Sequence, residues 1–395
     1  MSPPLRRLLV IDPAGVVALN TLDATDGTDR QVLSARPPSA PGRASTQVRT
    51  AVWSPAGQWA AVALDSDDLD GPREVRLHHV GSGPSAEDDQ PNADAPAAST
   101  VIADGVTAFY LCPSPCGRFL SHLSPGPLGL ELALSEVGSG ALRIIERGQP
   151  LYWAWRPDSS ELAVHVAQRA LRVPLDGPPT ELTDDAGSFL APWWTPQGSV
   201  VIAHDERVVA HHADATTTEL AASATSGRFS LDPQGQRVAL VELIEGEPCL
   251  VVINVMTGER DIVTVERAAA FFWSPDGRRL AALVMADARR LQWIVFDGEA
   301  DQAESVQRLQ PFRPGVAWLR QVLPFFEQYS HSHAVWSPDG TELVAPALDA
   351  DGSTEAVIQQ AVAPFASEHL PGVQLAWWAA PTPTGPAQPD NQPDN

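Results

Sequence analysis

One short phrase recurs seven times along this chain. It consists of an aromatic residue, a small polar residue, Pro and a turn residue, usually Gly, and a hydrophobic run follows it. The clearest copies are residues 273–277 and 336–340, which both read Trp-Ser-Pro-Asp-Gly. The key prolines of the other copies are Pro55, Pro115, Pro157, Pro196 and Pro233. Self-similarity at such a period indicates a fold built from copies of one supersecondary unit.

The spacing of the phrase predicts the size of that unit. Successive key prolines between Pro115 and Pro275 lie about 40 residues apart, which is the length of a four-stranded propeller blade. The intervals from Pro55 to Pro115 and from Pro275 to Pro338 are longer, at roughly 60 residues, and each indicates a blade plus an insertion. The further hydrophobic runs of each repeat fit a radial blade better than a sandwich.

The phrase also has a local physical meaning. Pro presets φ for the first central position of a tight turn, and Gly supplies the left-handed residue that ends it. The aromatic residue before the turn, such as Trp273 or Trp336, is large enough to wedge between neighbouring sheets. Burying about 200 Å² of tryptophan stabilises the fold by up to ~5 kcal/mol before entropy is counted.

Both ends of the chain contain incomplete blades. Residues 8–11, 15–19 and 31–34 read as three strands without an inner one, and residues 373–378 read as an inner strand without partners. Joining them would close the ring and hide two sheet edges that otherwise promote aggregation. The sequence therefore favours an all-β single propeller of eight four-stranded blades with the last blade shared between the termini; seven blades is the alternative.

These repeats resemble those of the TolB-like, WD-repeat-like propeller family, whose hallmark is the Trp-Ser-Pro-Asp-Gly turn at residues 273–277 and 336–340. The resemblance runs from about Val52 to about Leu370 and is degenerate in four of the seven copies. It implies a bacterial propeller that binds a protein or peptide, for example in a membrane-transport or secretion complex. Such propellers also occur in enzymes, so the resemblance specifies the fold far better than the function.

Composition excludes several function classes. The net charge of −23 argues against nucleic acid, whose affinity comes from neutralised phosphates, and against anionic membrane surfaces. All 26 basic residues are Arg, so a Walker lysine, a Schiff-base lysine and a Ser-Lys dyad are excluded. The chain contains no Gly-x-Ser-x-Gly elbow, phosphate loop or dinucleotide fingerprint. We expect no cofactor and no metal.

The remaining composition favours a cytoplasmic monomer. Three cysteines, at positions 112, 116 and 249, are too few for a disulfide framework. Asp12 and Pro13 interrupt the apolar run near the N-terminus, which makes it a poor signal peptide, and no segment approaches the ~20 apolar residues of a membrane span. Two acidic turns, 65–71 and 349–355, are read as solvated hairpins rather than as calcium loops.

Domain boundaries follow from low-complexity segments. The propeller is expected to occupy residues 1–380, with a disordered linker at about 35–45, an acidic loop at about 81–100 and a disordered tail at 381–395. A further insertion at about 312–330 is instead dense in aromatic and large apolar residues. Trp318, Val322 and Phe325 or Phe326 recur there at helical spacing, although Pro324 should kink any helix.

That insertion is the candidate functional element, interpreted as a lid or binding element at the channel mouth. It leads into His331 and His333, which are expected to lie on the next inner strand, pointing the same way. Its aromatic residues are of the kind favoured at binding hot spots, and exposing them would require something to cover them. An insert that merely packs on its own blade is the alternative interpretation. The predicted partner-binding residues are Trp318, Leu319, Phe325, Phe326, Tyr329, His331 and His333.

The sequence thus favours a non-catalytic propeller that binds a protein or peptide partner on its channel face. The alternatives are a hydrolase or lyase with polar residues around the channel, and a propeller that binds carbohydrate or a small molecule. No residue is nominated as catalytic.

Overall fold

Eight four-stranded antiparallel sheets surround a central channel in the computed structural model of the chain. The structure describes residues 6–22, 29–34, 46–66, 73–80, 99–187, 189–204, 206–222, 227–299 and 305–379. The predicted linker 35–45 and tail 381–395 lie outside these ranges, as does all but the end of the predicted acidic loop 81–100. The eight-blade prediction is confirmed, and seven blades is wrong.

The strands follow one another with almost no helix between them. In chain order they are β1 (Arg7–Ile11), β2 (Val17–Thr21), β3 (Asp29–Ser34), β4 (Thr46–Trp53), β5 (Trp59–Ser66), β6 (Glu74–His79), β7 (Ser99–Asp104), β8 (Tyr110–Pro113), β9 (Phe119–Gly126), β10 (Gly129–Glu136), β11 (Leu142–Gly148), β12 (Leu151–Trp155), β13 (Glu161–Val166), β14 (Arg169–Pro174), β15 (Thr180–Thr183), β16 (Trp193–Trp194), β17 (Val200–His204), β18 (Arg207–His211), β19 (Thr217–Ala221), β20 (Phe229–Leu231), β21 (Arg237–Ile244), β22 (Glu247–Asn254), β23 (Arg260–Thr264), β24 (Ala270–Trp273), β25 (Arg279–Met285), β26 (Leu291–Asp297), β27 (Val306–Arg308), β28 (Arg313–Pro314), β29 (Glu342–Leu348), β30 (Thr354–Gln360), β31 (Ser367–Pro371) and β32 (Leu375–Trp378).

Blades 1 to 7 each take four consecutive strands, beginning with β4, β8, β12, β16, β20, β24 and β28 as the inner strand. Blade 8 joins both ends of the chain in the order β3-β2-β1-β32. Leu375 pairs with Ile11 and Trp378 pairs with Leu8, so the C-terminal strand supplies the inner strand that the N-terminal strands lack. The shared-blade closure predicted from the two ends is confirmed.

The Ser-Pro-Asp-Gly turns join the inner strand to the second strand of a blade. In blade 6, Gly277 adopts φ 69° and donates its backbone N–H to the Ser274 carbonyl at 2.8 Å. The Ser274 hydroxyl accepts the backbone N–H of Arg279 at 2.9 Å and donates to the Asp276 carboxylate at 2.5 Å. The small polar residue of the phrase therefore holds both sides of the hairpin together.

Degenerate copies keep this geometry with other residues. Asp232 replaces Ser in blade 5, and its carboxylate accepts the backbone N–H groups of Gln236 and Arg237 at 2.7 and 3.0 Å. Blade 3 lacks the glycine, and Ser159 takes the left-handed position with φ 65°. The turn is thus kept as a conformation in copies where its sequence signature is weak.

The tryptophan of the phrase connects neighbouring blades. The indole N–H of Trp336 donates to the carbonyl of Phe272 at 2.9 Å, and that of Trp194 donates to the carbonyl of Ala154 at 3.0 Å. Each acceptor lies on the inner strand of the preceding blade, directly before the aromatic residue of that blade's own phrase. Trp336 is buried and Trp273 is half-buried, in agreement with the predicted wedge between sheets.

The chain direction defines two ends of the channel. We call the end at which inner strands run into the Pro-containing turns the turn face, and the other end, where inner strands begin, the opposite face. No described helix is long and apolar enough to cross a membrane.

Candidate functional site

The aromatic insertion fills the central channel. It consists of α1 (Val316–Gln321), a 3-10 turn (Leu323–Phe325) and α2 (Phe326–Tyr329), with Pro324 in the 3-10 turn, so the predicted kink is present. We call residues 316–334 the plug. It is neither a lid over the channel mouth nor an insert that packs only on its own blade.

The plug interrupts the inner strand of blade 7. Arg313 and Pro314 pair with Leu348 and Ala347, and the pairing resumes only at Trp336, which bridges to Leu343. The intervening chain leaves this strand at the opposite face, passes through the channel and returns at the turn face. The prediction that His331 and His333 lie on an inner strand is wrong, because both lie in the turn that ends the plug.

Gln328 anchors α2 to an edge that the sheets leave open. Its side-chain amide accepts the backbone N–H of Trp153 at 2.8 Å and donates to the Trp153 carbonyl at 2.9 Å. The Tyr110 hydroxyl donates to the backbone carbonyl of Gln328 at 2.7 Å. The inner strand is the edge of each blade, so its backbone N–H and C=O groups that face the channel need hydrogen-bond partners. The Gln328 side-chain amide pairs with both such groups of Trp153, as a residue of a neighbouring strand would.

Aromatic rings pack the rest of the plug against several blades. Phe326 meets Phe271 edge-to-face at 4.7 Å between ring centroids, and Tyr329 meets Tyr110 at 4.9 Å. Trp318 lies 6.2 Å from Trp293 between centroids. Trp318, Phe326 and Tyr329 are therefore buried inside the molecule, and the first two have no exposed surface.

Two of the predicted partner-binding residues emerge at the opposite face. Leu319 and Phe325 are 40% and 41% exposed, and Val316 beside them is 52% exposed. His331 and His333, by contrast, lie at the other end of the plug and line cavities on the turn face. The structure thus divides the seven residues among the two faces and the buried interior, and their role in binding stays a prediction.

The turn face carries a concave site, which we call the funnel. It comprises two cavities of about 370 and 600 Å³ that share the end of the plug as their floor. The residues common to both cavities are Trp155, Pro275, Ser330, His331, His333, Ala334 and Trp336. The walls add the tryptophans and exposed prolines of the repeats, which are Trp53, Trp193, Trp194, Trp273, Trp378, Pro55, Pro115, Pro157, Pro233 and Pro338.

The funnel is nearly free of net charge. Burial lowers the pKa of His331 to about 4, and its Nε2–H donates to the Pro192 carbonyl at 3.1 Å. Burial likewise lowers the pKa of His333 to about 3 and raises that of the Cys112 thiol to about 12. The buried Asp232 carboxylate is paired with Arg237 at 3.4 Å. At neutral pH the imidazoles and the thiol are therefore uncharged.

A second polar feature lies deeper, on α2. Glu327 is 2% exposed, and neither of its carboxylate oxygens has a hydrogen-bond partner among the described residues. Burial raises the pKa of Glu327 to about 7, against the opposing attraction of Arg228. The Arg228 guanidinium lies 5.6 Å from the ring centroid of the neighbouring Phe326. Sequence patterns did not indicate Glu327 or Gln328, because only the position of the plug makes them interior residues.

The part of the chain that the structure describes contains no group of three or more His, Cys, Asp or Glu side chains arranged to hold a metal ion. In the acidic turn 349–355, the Asp349 carboxylate accepts the backbone N–H groups of Asp351 and Ser353 at 2.9 Å each. Residues 67–71 of the other acidic turn lie outside the described ranges.

Comparison with known proteins supports the fold and leaves the family open. No family model matches the chain, and no curated protein matches it in sequence. Solved structures that resemble it at TM-scores above 0.5 include the following three. The dihydro-haem d1 dehydrogenase NirN has TM-score 0.58 at 14% identity, covering 95% of this chain and 75% of its own. A eukaryotic initiation factor has TM-score 0.55 at 12% identity, and the alignment covers 97% of this chain and 100% of the initiation factor. An oligogalacturonate lyase in complex with manganese has TM-score 0.51 at 14% identity, and the alignment covers 91% of this chain and 96% of the lyase.

TolB structures are also among the matches. TolB from Acinetobacter baumannii aligns with 74% of this chain and 61% of its own at TM-score 0.38 and 12% identity. A propeller fold is common to these structures, but identities this low establish nothing finer. Membership of the TolB family therefore remains a resemblance carried by the turn phrase.

Proposed function

We propose that this protein is a non-catalytic binding propeller whose funnel holds a protein or peptide partner. The observation that carries the proposal is the floor of the funnel. The plug closes the channel and leaves a concave, nearly uncharged site on the turn face, bordered by repeated tryptophans and prolines. A concave apolar site with few polar groups is the form that ligand sites usually take.

Several features of the walls suit a peptide. Trp193 is half-buried, packs against His331 at 4.5 Å between ring centroids, and lines the smaller cavity of the funnel together with it. Tryptophan is among the residues that contribute most to binding energy at protein interfaces. A partner in a membrane-transport or secretion complex and a monomeric state in the cytoplasm remain part of the proposal, supported by the turn phrase and the composition of the chain.

The test is partner capture with variants that differ only in the face they change. Ala334 is exposed on the funnel floor, whereas Val316 is exposed on the opposite face. Ala334→Arg should block the funnel, and Val316→Arg is the matched control on the same plug. We expect cross-linked extracts of the native host to yield a protein that wild type and Val316→Arg enrich at least about tenfold over Ala334→Arg, by quantitative mass spectrometry.

The outcomes separate the candidate functions. If Ala334→Arg captures every protein that wild type captures, the funnel is not the partner site. If soluble oligosaccharides compete with the captured partner, or bind alone and only to wild type and Val316→Arg, the funnel is a carbohydrate site and the proposal is wrong. Circular dichroism of both variants must match wild type, because Ala334 and Val316 are exposed and an added side chain at either position can extend into solvent.

An enzyme is the second candidate, and Glu327 is the observation that favours it. A carboxyl group whose pKa is raised to about 7 is suited to general acid–base work at neutral pH. Perturbed groups of this kind cluster at functional sites. We rank this candidate second because the carboxyl is 2% exposed and the plug must move before a substrate could reach it.

A further inference from the structure

We propose that the ligand of the funnel is a proline-rich segment in the polyproline II conformation, and that the chain carries one itself. Residues 380–389 bind the funnel of the same molecule. This inference rests on the proposed function, since it requires the funnel to be a peptide site. It adds the chemical class of the ligand and a competitor that an external partner must displace.

The first support is the spacing of prolines after the last strand. Residues 380–389 read Ala-Pro-Thr-Pro-Thr-Gly-Pro-Ala-Gln-Pro, in which Pro383, Pro386 and Pro389 are three positions apart. A polyproline II helix has three residues per turn, so these three prolines would share one face. Segments of this pattern dock into grooves lined by aromatic side chains.

The second support is where the segment begins. The last strand ends at the turn face, and Trp378 and Ala379 themselves line the larger cavity of the funnel. The Ala379 backbone N–H donates to the Arg7 carbonyl at 2.9 Å, which fixes the chain at that rim. At about 3.1 Å per residue, the ten residues after Ala379 can extend about 30 Å, enough to pass from the larger cavity into the smaller one.

The third support is charge. Residues 380–389 contain no ionisable side chain, and the first acidic residue beyond Ala379 is Asp390. The funnel is likewise nearly uncharged, because His331 and His333 are neutral at pH 7 and Asp232 is paired with Arg237. Neither surface must therefore lose the hydration of an unpaired charge when they meet.

Attachment to the rim makes the segment an effective competitor. A short flexible connection keeps a tethered ligand at an effective concentration in the millimolar range. Even weak intrinsic affinity would then keep the funnel occupied in the free protein. An external partner would need either higher affinity or a longer proline-rich surface to displace the segment.

The experiment measures binding of a fluorescein-labelled peptide of residues 380–392 by fluorescence polarisation. The two protein forms are the full chain and a variant that lacks residues 380–395, which keeps all of β32. We expect the truncated variant to bind the peptide and the full chain to bind it at least about tenfold more weakly, because its own segment competes. A full chain with Pro383→Ala, Pro386→Ala and Pro389→Ala should bind the peptide as the truncated variant does.

Matched controls identify the face and the prolines involved. In the truncated variant, Ala334→Arg should abolish peptide binding and Val316→Arg should preserve it. A peptide with Pro383, Pro386 and Pro389 replaced by Ala should lose at least about tenfold in affinity. A peptide with Ala only at Pro381, which lies outside the three-residue spacing, should keep its affinity.

Three results would overturn the inference. If the truncated variant does not bind the peptide, the segment is not a ligand; partner capture that still depends on Ala334 would then leave the proposed function standing. If the full chain and the truncated variant bind equally, the segment does not occupy its own funnel. If the full chain forms concentration-dependent dimers that truncation abolishes, the segment binds a second copy instead.

Discussion

At the scale of single residues, the repeat tryptophan combines burial with a directed hydrogen bond. Trp336 and Trp194 each donate the indole N–H to the inner strand of the preceding blade, at 2.9 and 3.0 Å. Trp273 makes the equivalent contact to Ser230 at a longer 3.4 Å and carries the Arg237 guanidinium 4.9 Å from its ring centroid. One side chain therefore both separates two sheets and sets their relative position.

These differences predict unequal costs for the same substitution. Trp336→Ala removes a buried ring and its hydrogen bond, so we expect the free energy of unfolding to fall by about 3–5 kcal/mol. Trp273→Ala removes a half-buried ring with a weaker hydrogen bond and should cost about 1–3 kcal/mol. Denaturant melts followed by circular dichroism would show the order. Equal costs would contradict this order, which rests on both the burial of the ring and the length of its hydrogen bond.

At the scale of elements, the plug closes the central channel and forms the floor of the funnel. The pairing of the inner strand of blade 7 stops after Pro314 and resumes at Trp336. The roughly twenty residues between them fill the channel and leave a concave end on the turn face. Gln328 and Tyr110 hold the plug by hydrogen bonds, whereas Phe326 and Trp318 hold it by packing. Glu327 is the one carboxylate of α2, and it lies among these groups without a hydrogen-bond donor from the described part of the chain.

Glu327 should make stability depend on pH. Its pKa is about 7 in the folded protein and about 4.5 when unfolded, so between these values the folded state binds more protons than the unfolded state. Stability is therefore lost as pH rises through this window, by about 3 kcal/mol in all. Glu327→Gln should be more stable than wild type at pH 8 and lack this loss, as denaturant melts across the pH range would show.

The control for that prediction is Glu242→Gln, which changes a carboxylate paired with Arg260 on an outer part of blade 5. Because it removes a carboxylate that has an Arg partner, it should not reproduce the gain in stability of Glu327→Gln at pH 8. Buried histidines act in the opposite direction, because His331 has a lowered pKa and its stabilising effect is lost as pH falls from about 6.5 to about 4. A Glu327→Gln variant with the wild-type profile would show that the carboxyl is hydrated or paired in solution.

At the scale of the whole molecule, the ring is closed by four residues from the end of the chain. Leu375, Ala376, Trp377 and Trp378 pair with β1 and are all buried. The same strand lies against blade 7, since the backbone N–H of Trp378 donates to the Ala334 carbonyl at 2.8 Å. Closure therefore joins the two termini, the last complete blade and the end of the plug.

Two truncations distinguish the closing strand from the tail beyond it. Deleting residues 373–395 exposes the edge of β1 and removes two buried tryptophans, so we expect a loss of at least about 6 kcal/mol and a broad unfolding transition. Deleting residues 381–395 keeps β32 and should lower the melting temperature by no more than a few degrees. Thermal melts of the two variants at equal protein concentration give the comparison. Equal melting temperatures would contradict closure by the shared blade.

Much of the fold could be read from the sequence because its determinants are local and repeated. The turn at residues 273–277 needs only its own Ser, Pro, Asp and Gly, and those residues make the same contacts wherever they recur. Even the shared blade could be predicted, because residues 373–378 lack partners next to them in sequence while residues 8–34 lack an inner strand. Because each copy of the turn marks one blade, the number of blades can be counted from local sequence patterns.

Only the tertiary structure decided where the site lies. The aromatic spacing in the insertion predicted a kinked helical element, but the same pattern fits a lid, an outward-facing surface or a plug. Phe326 and Trp318 pack against Phe271 and Trp293 of blade 6. Tyr329 packs against Tyr110, which comes 219 positions earlier in the chain, whereas Leu319 and Phe325 are exposed. Long-range packing therefore placed the funnel on the turn face, because contacts between distant segments leave no period or motif in the sequence.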